Sequence, residues 1–286
     1  MQKYIILEMN KLDFRRHLIS LFELLPLPTV KPSEKYIDVV IPIIPKDLRI
    51  LPLCIEGVRK CVTNNIKDIY IVSPHDVNVL DLCANLNLKF IDEKEVLGFS
   101  PKEINLKVQL NGELKDRSGW LFQQILKLSG KVGTCENYLC IDADHILLKP
   151  HTFLSAVNTP VFYMSEECHI PYYDNIKKML GLKQFSMLSY VAHKMIFNKR
   201  CLAMLHGEIE QRYGCDWIFA IVDNYDRREK SGFSEFEMYG NYVSEKILRP
   251  WKQKELKYEM IADYYALQKK YAKYNSVTFP AYLSKI

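Results

Sequence analysis

Between residues 36 and 92 the chain alternates short, almost wholly apolar runs with amphipathic segments, and few folds accommodate that alternation. Tyr36 to Ile44 is a near-continuous apolar run rich in β-branched residues, as expected of a strand covered on both faces. Ile69 to Ser73 and Leu88 to Asp92 are two further strand-like runs. The stretches 48–62 and 76–86 between them read as helices, the first with a break at Pro52. Strand and helix in turn at this spacing predict βαβ units and a mostly parallel sheet. No G-x-G-x-x-G follows the first strand and no Walker A sequence occurs, so neither motif-borne nucleotide site is expected. A length of 286 residues allows one large domain or two small ones.

The segment Tyr138 to Pro150, YLCIDADHILLKP, carries the sharpest chemical signal. Tyr138 to Ile141 is a buried-strand run that stops at Asp142-Ala143-Asp144, and apolar residues resume at Ile146 to Leu148. In open α/β sheets ligands gather beyond the carboxyl ends of strands. Two carboxylates there suit a hard divalent cation that leaves places for phosphate oxygens. Residues one apart on an extended strand face opposite ways, so a shared ion requires the chain to bend at Ala143. An Asp-rich turn without a ligand is the structural alternative.

Elsewhere, residues 10–25 read as a helix with Phe14, Leu18, Leu21, Phe22 and Leu25 on one stripe, followed by a Pro-rich linker to residue 35. This N-terminal appendage is expected to dock on the main domain, with a membrane surface as the alternative. Residues 93–114 are polar and irregular and are expected to be a mobile loop. Ser118 is placed to cap a helix to Leu128 with Leu121, Ile125 and Leu128 inward, leading into the Asp142 strand. A short helix over 151–157, a strand Val161 to Ser165, a helix near 173–181 and a strand Ser189 to Asn198 carrying His193 follow. Helices over 199–213 and 215–224 come next, and 252–273 reads as a Lys- and Tyr-rich helix. Between Lys246 and Lys273 eight basic residues face three acids, nearly the whole net charge of +5. That run suits a solvated face or an anionic surface. The charge is too small to indicate nucleic acid.

None of the eight cysteines forms a C-x-x-C pair, so a structural zinc site is not expected, and their apolar settings suit a reducing compartment. No apolar run approaches the roughly 18 residues of a membrane span, and the start has too short an apolar stretch for a secretory signal. The expected location is the cytoplasm, with peripheral membrane contact through the basic C-terminal helix as a further expectation. Oligomeric state is not legible.

Five features occur in order: the first strand ending in a Pro-rich turn, the R-x-G-W-x-x-Q-Q-x-L-K-L helix, the D-x-D strand, a His-bearing strand, and F-S-E-x-E-x-Y-G-N-Y at 233–242. The residues concerned are Arg117, Gly119, Trp120, Gln123, Gln124, Lys127, Asp142, Asp144, His193, Glu235, Glu237, Tyr239, Gly240 and Asn241. Over roughly 36–245 the chain resembles a family of surface-polysaccharide glycosyltransferases of the GT-A fold. The resemblance implies an α/β, Rossmann-type catalytic domain over 36–250, with residues 1–35 and 251–286 outside it.

It further implies transfer of a sugar from a nucleotide-sugar donor, UDP- or GDP-linked, to a glycan or other hydroxyl acceptor, with Mn²⁺ or Mg²⁺ stabilising the diphosphate leaving group. Asp144 would hold the metal, Asp142 the ribose or a metal-bound water, and His193 would be a third ligand or a structural histidine. Lys46 and Asp47 would flank the nucleoside, and Gln123, Gln124 and Lys127 the donor sugar. Arg117 before a helix start would meet the diphosphate, or pair with Asp116 in solvent. Ser234 and Glu237 match a capping box, which leaves Glu235 as the expected general base for an inverting transfer. The two glutamates exchange roles, or bind acceptor hydroxyls, in the alternative readings. Glu166, Glu167, His169, Tyr172 and Tyr173 have the composition of a sugar-binding surface. Two other functions compete: a nucleotidyltransferase acting on sugar phosphates, against which PIIPKDLR lacks glycine, and a non-catalytic glycan- or membrane-binding protein.

Overall fold

The computed structural model describes residues 13–22, 28–184, 186–280 and 283. Residues 13–22 are helical. In chain order there follow β1 (Ile37–Pro42), α1 (Leu51–Cys61), β2 (Ile66–Ser73), α2 (Val77–Asn85), β3 (Lys89–Asp92), α3 (Glu93–Leu97), α4 (Pro101–Ile104), β4 (Lys107–Leu110), β5 (Glu113–Asp116) and α5 (Ser118–Leu128). The second half comprises β6 (Asn137–Ile141), β7 (His145–Leu147), β8 (Val161–Met164), α6 (Ile170–Leu180), β9 (Lys194–Asn198), α7 (Lys199–Tyr213), α8 (Trp217–Asp223) and α9 (Glu235–Tyr242). β10 (Ile247–Pro250), β11 (Gln253–Glu255), α10 (Tyr264–Lys270) and β12 (Ser276–Thr278) close the chain.

The architecture is mixed α/β with a parallel-rich central sheet flanked by helices. Its strand order is β3-β2-β1-β6-β9. β1, β2, β3 and β6 run parallel, and β9 runs antiparallel to β6. β1 is buried at every position, as its apolar run requires. The carboxyl ends of the four parallel strands and the start of β9 therefore share one edge. Ile141 pairs with Lys194 across that edge, which brings the D-x-D segment beside His193.

Several local expectations are corrected. Pro52 occupies the first turn of α1, where its missing N–H costs nothing; a short 3-10 helix, Pro45–Arg49, precedes it. Residues 93–114 are structured. Asp92 caps α3, Ser100 and Glu103 form a capping box on α4, and β4–β5 is a hairpin whose Asn111-Gly112 turn has φ of 50° and 85°. Val96, Leu97, Ile104, Leu106 and Val108 bury there, and the Asn-Gly pair is the local hairpin signal. Residues 151–157 form bridges and turns in place of a helix. His193 precedes β9 and has φ of 59°. The helix at 13–22 turns Arg15 and Ile19 inward and leaves Phe14 and Leu21 exposed; Leu25 lies outside the described residues. It docks on the domain through Arg15 Nε, which donates to Met187 O at 2.6 Å.

The expected helix over 252–273 is not formed as one element. β11, a 3-10 helix (Tyr258–Asp263) and α10 occupy it. Apolar residues spaced along it build a second small core of Ile50, Ile146, Leu256, Ile261, Tyr264, Val277 and Phe279. β12 lies between β11 and β7, so the C-terminal stretch packs directly behind the D-x-D segment. Among the described residues no helix is long and apolar enough to cross a membrane. All eight cysteines are free thiols.

Two outcomes follow from this packing. A Cβ at Gly240 would run into the Tyr190 ring. Gly240→Ala is therefore expected to lower stability by about 1–3 kcal/mol in urea denaturation, although helix propensity alone would raise it by about 1 kcal/mol. Glu93 is buried, and burial pushes its carboxyl from 4.5 up to about 7. A raised carboxyl favours the folded state at low pH, and that contribution is lost as pH climbs through 7. Glu93→Gln is expected to raise the urea midpoint at pH 8 and to leave it little changed near pH 4.5.

Candidate functional site

At the carboxyl edge of the sheet the chain leaves β6 and turns at once. His145 N–H donates to Asp142 O at 3.0 Å, and the turn carries the chain into β7. That turn supplies the bend at Ala143 that a shared ion requires. It is held from two directions. Asp142 N–H donates to His193 O at 2.9 Å, and Phe279 N–H to Asp144 O at 2.9 Å. Asp142, Asp144 and His193 are all half-buried, and one ligand atom from each lies within 4.8 Å of the others.

The three groups differ in what they already bind. Asp142 accepts Lys127 Nζ on Oδ1 at 2.7 Å and His193 Nδ1 on Oδ2 at 3.0 Å. Burial works to raise its carboxyl, but Lys127 and His193 outweigh it and hold the group well below the usual carboxylate range. Asp144 accepts no side-chain hydrogen bond from a described residue. Burial, reinforced by Asp142 and Asp47 against the pull of His193, pushes its carboxyl up to about 6. Burial alone would lower the His193 imidazole, yet Asp142 and Asp144 raise it above its ordinary value. Lys127 and His193 thus answer Asp142, while Asp144 is left without a hydrogen-bonding side chain among the described residues. His193 Nε2 has no partner among the described residues. Two carboxylates and an imidazole of this kind fit a divalent cation. Asp144 and His193 Nε2 would hold it directly, and Asp142 would orient the His193 ring through Nδ1.

Lys127 lies under this cluster. Its Nζ is buried between Asp142 Oδ1 and Glu235 Oε1, at 2.7 and 2.8 Å, and 4.8 Å from the Phe236 ring centroid. Burial opposes its charge, but the two carboxylates raise its pKa above the ordinary lysine value. Gln124, with its amide oriented to satisfy both groups, donates to Glu235. Lys127 and Gln124 are thus spent inside the protein and do not offer themselves to a donor sugar.

Glu235 and Glu237 are each 1% exposed. Burial raises both carboxyls. Glu235 is closed by Lys127 and Gln124. Ser234 caps α9 by accepting Glu237 N–H, but the Glu237 carboxylate does not complete a capping box. It accepts Ser189 Oγ at 2.6 Å, Tyr190 N–H at 3.1 Å, Tyr173 OH at 3.2 Å and Asn241 Nδ2 at 3.0 Å. A general base must lie within hydrogen-bond reach of its proton donor. Neither glutamate has a free face for an acceptor, and this geometry does not support the expected base role.

The remaining expected residues lie as follows. Ser118 begins α5 rather than capping it; its Oγ accepts Leu106 N–H at 2.9 Å, and Asp116 Oδ1 accepts Ser118 N–H at 2.8 Å. Arg117 stacks 4.5 Å over Trp120 and donates to Lys230 O at 2.9 Å, so it forms no pair with Asp116. Trp120 is half-buried against the core. Lys46 is exposed beyond β1, while Asp47 Oδ2 accepts Ile44 N–H at 3.0 Å. Gln123 is half-buried on α5.

Two residues without a signal in the sequence sit behind His193. His145 is fully buried and stacks on the His193 ring at 5.3 Å. Lys194 is 1% exposed. Its Nζ meets His145 Nε2 at 3.1 Å and Ala192 O at 2.9 Å, 4.1 Å from the Trp251 ring centroid. Burial pulls its pKa well below the ordinary lysine value.

An α/β sheet with an acid–imidazole cluster at its carboxyl edge defines a candidate cation and phosphate centre. The chain belongs to the family of unknown function DUF6492, whose model matches residues 34–281. That span takes in the C-terminal strands as well as the five motifs. No curated protein matches it in sequence. In shape it is similar to an active-site mutant of LgtC, 12% identical over 85% of this chain and 87% of that one, with a TM-score of 0.45. It is also similar to mouse xyloside xylosyltransferase 1 in the apo form, 10% identical over 87% and 99%, with a TM-score of 0.48. A third likeness is to glucosyl-3-phosphoglycerate synthase from Mycobacterium tuberculosis in complex with Mn²⁺, UDP and glucosyl-3-phosphoglycerate, 11% identical over 76% and 70%, with a TM-score of 0.36. None of these distant likenesses assigns a role to a residue here.

Lys127→Met tests the ion cluster. It leaves the buried Glu235 and the half-buried Asp142 without their shared cation and is expected to destabilise the protein by about 3–5 kcal/mol. Urea denaturation at pH 7 measures it, and a loss under about 1 kcal/mol would show that the cluster is not an anchor.

Proposed function

We propose that this protein is a metal-dependent glycosyltransferase that moves a sugar from a nucleoside-diphosphate donor to a hydroxyl acceptor. The observation that carries the reading is the cluster of Asp142, Asp144 and His193 at the carboxyl edge of a parallel-rich sheet. It is a hard, partly open donor set placed where such sheets bind ligands. A Mn²⁺ or Mg²⁺ ion held there would stabilise the charge that develops on a departing diphosphate.

The chain's own residues divide the remaining work. Asp144 and His193 bind the ion. Asp142 fixes the His193 ring, and Lys127 keeps Asp142 ionised while Glu235 and Gln124 hold Lys127 in place. The turn that presents Asp144 is pinned by Phe279 from the C-terminal strand. Asp47 and Lys46, which follow β1 on the strand next to β6, would flank a nucleoside.

Thermal shift against UDP, GDP, CMP and their sugar conjugates, with and without Mn²⁺, tests this on wild type and Asp144→Ala. A nucleotide at 100 times its dissociation constant adds about 2.7 kcal/mol of stability. The expected result is a Mn²⁺-dependent shift for one nucleotide class that disappears in Asp144→Ala. A shift that is equal with and without metal, or unchanged in the variant, would overturn the metal role. No shift with any nucleotide would overturn the donor class.

A further inference from the structure

With Glu235 and Glu237 sealed, a transfer of the kind proposed above that inverts the anomeric centre still needs a group to receive the acceptor's proton. Of the carboxylates around the cluster, Asp142 is paired with Lys127, Asp144 is committed to the cation, and Asp47 is held by Ile44 on the β1 side. Glu167 is different. It follows β8 on a segment laced to the one that delivers His193. Ser165 and Ser189 exchange backbone hydrogen bonds at 2.9 and 3.0 Å, Ser165 Oγ donates to Val191 O at 2.6 Å, and Glu167 N–H donates to Ser165 Oγ at 3.3 Å. The neighbouring Glu166 is drawn outward toward Arg16, with Nε 3.9 Å from Oε1. Glu167 is half-buried, and its carboxylate accepts no hydrogen bond from a described residue.

We propose that Glu167 is the catalytic residue on the acceptor side of the cleft, resting on the glycosyltransferase reading of the same site. Its carboxylate takes the acceptor O–H proton as the acceptor oxygen bonds to the anomeric carbon. The bond from that carbon to the donor phosphate oxygen breaks, and its electron pair leaves with the nucleoside diphosphate. The placement suits this division. β1, which leads to Asp47, pairs with one side of β6, and β9, preceded by the 189–193 segment to which 165–167 is tied, pairs with the other, so donor and acceptor would approach from opposite flanks. Burial pushes the Glu167 carboxyl up to about 7, opposed by His193 and reinforced by Glu237, Glu255 and Glu166; Tyr172 also feels its charge. A base poised near the working pH is the efficient one. Glu237 then has a positioning role, because it holds Ser189 and Tyr190 on the segment to which the Glu167 strand end is tied.

The test uses water as the acceptor and Mn²⁺ with UDP-glucose, UDP-galactose, UDP-N-acetylglucosamine and GDP-mannose as donor probes. Release of the nucleoside diphosphate is followed from pH 5 to 9 in wild type, Glu167→Gln and Glu167→Asp, and the Mn²⁺-dependent thermal shift with UDP and GDP is measured beside it. The expected result is a loss of about 10²–10⁴-fold in release for Glu167→Gln, partial activity for Glu167→Asp, and an unchanged nucleotide shift in both. The wild-type rise in rate through about pH 7 is expected to vanish in Glu167→Gln. A rate in Glu167→Gln within about threefold of wild type with the same pH profile would overturn the assignment alone. So would loss of the nucleotide shift together with the rate, since Glu167 would then serve the donor site or the fold. No shift and no release in wild type with any probe would overturn the glycosyltransferase reading, and the assignment with it.

Discussion

The ammonium of Lys127 is the interaction on which the site depends. It joins three elements: α5, which carries it; the end of β6, through Asp142; and the start of α9, through Glu235. Two carboxylates buried this close would repel and take up protons if nothing lay between them. With Lys127 in place Asp142 stays ionised, and an ionised Asp142 in turn fixes His193 Nδ1. The orientation of an imidazole at the surface is thus set by a cation beneath it. Such a cluster costs desolvation and returns it only while every member is present, so it secures arrangement more than stability.

The same logic recasts the F-S-E-x-E-x-Y-G-N-Y segment. Glu235, Glu237 and Tyr239 in it are consumed by scaffolding. Glu235 answers Lys127, Glu237 gathers four donors from Tyr173, Ser189, Tyr190 and Asn241, and Tyr239 OH accepts Asn198 N–H at 2.9 Å. Gly240 makes room for the Tyr190 ring. The helix is a clamp on the 189–193 segment, and its effect at the surface is the placing of His193. A motif dense in acids drew a catalytic expectation, whereas its burial points to positioning.

The C-terminal stretch shows a comparable reversal. Its lysines and tyrosines suggest a free-standing basic helix, yet it forms β11, a 3-10 turn, α10 and β12. β12 pairs antiparallel to β7, with Thr278 opposite His145 and Ser276 opposite Leu147. The backbone of Asp144 is tied to Phe279 beyond it. The Asp142, Asp144 and His193 cluster is therefore walled on one side by residues more than a hundred positions distant from the D-x-D turn.

The amino-acid sequence by itself determined the elements whose signal is local. The apolar runs of β1, β2 and β6 form strands because full burial on both faces needs no partner-specific pattern. The inward residues of α5, Leu121, Ile125 and Leu128, follow from helical periodicity, and the two carboxylates of Asp142-Ala143-Asp144 at a strand end are visible as a local pattern. The hairpin at 107–116 was equally local, marked by Asn111-Gly112, but its polar composition hid it. Only the tertiary structure decided which charges are spent and which remain open. Lys127 and Glu235 are 108 residues apart, Asp142 and His193 are 51 apart, and composition is the same whether a glutamate is sealed against a lysine or left facing a cleft. Burial and pairing are properties of contacts between distant segments, and those contacts bury Glu235 and Glu237 against their partners while Asp144 accepts no side-chain hydrogen bond from a described residue.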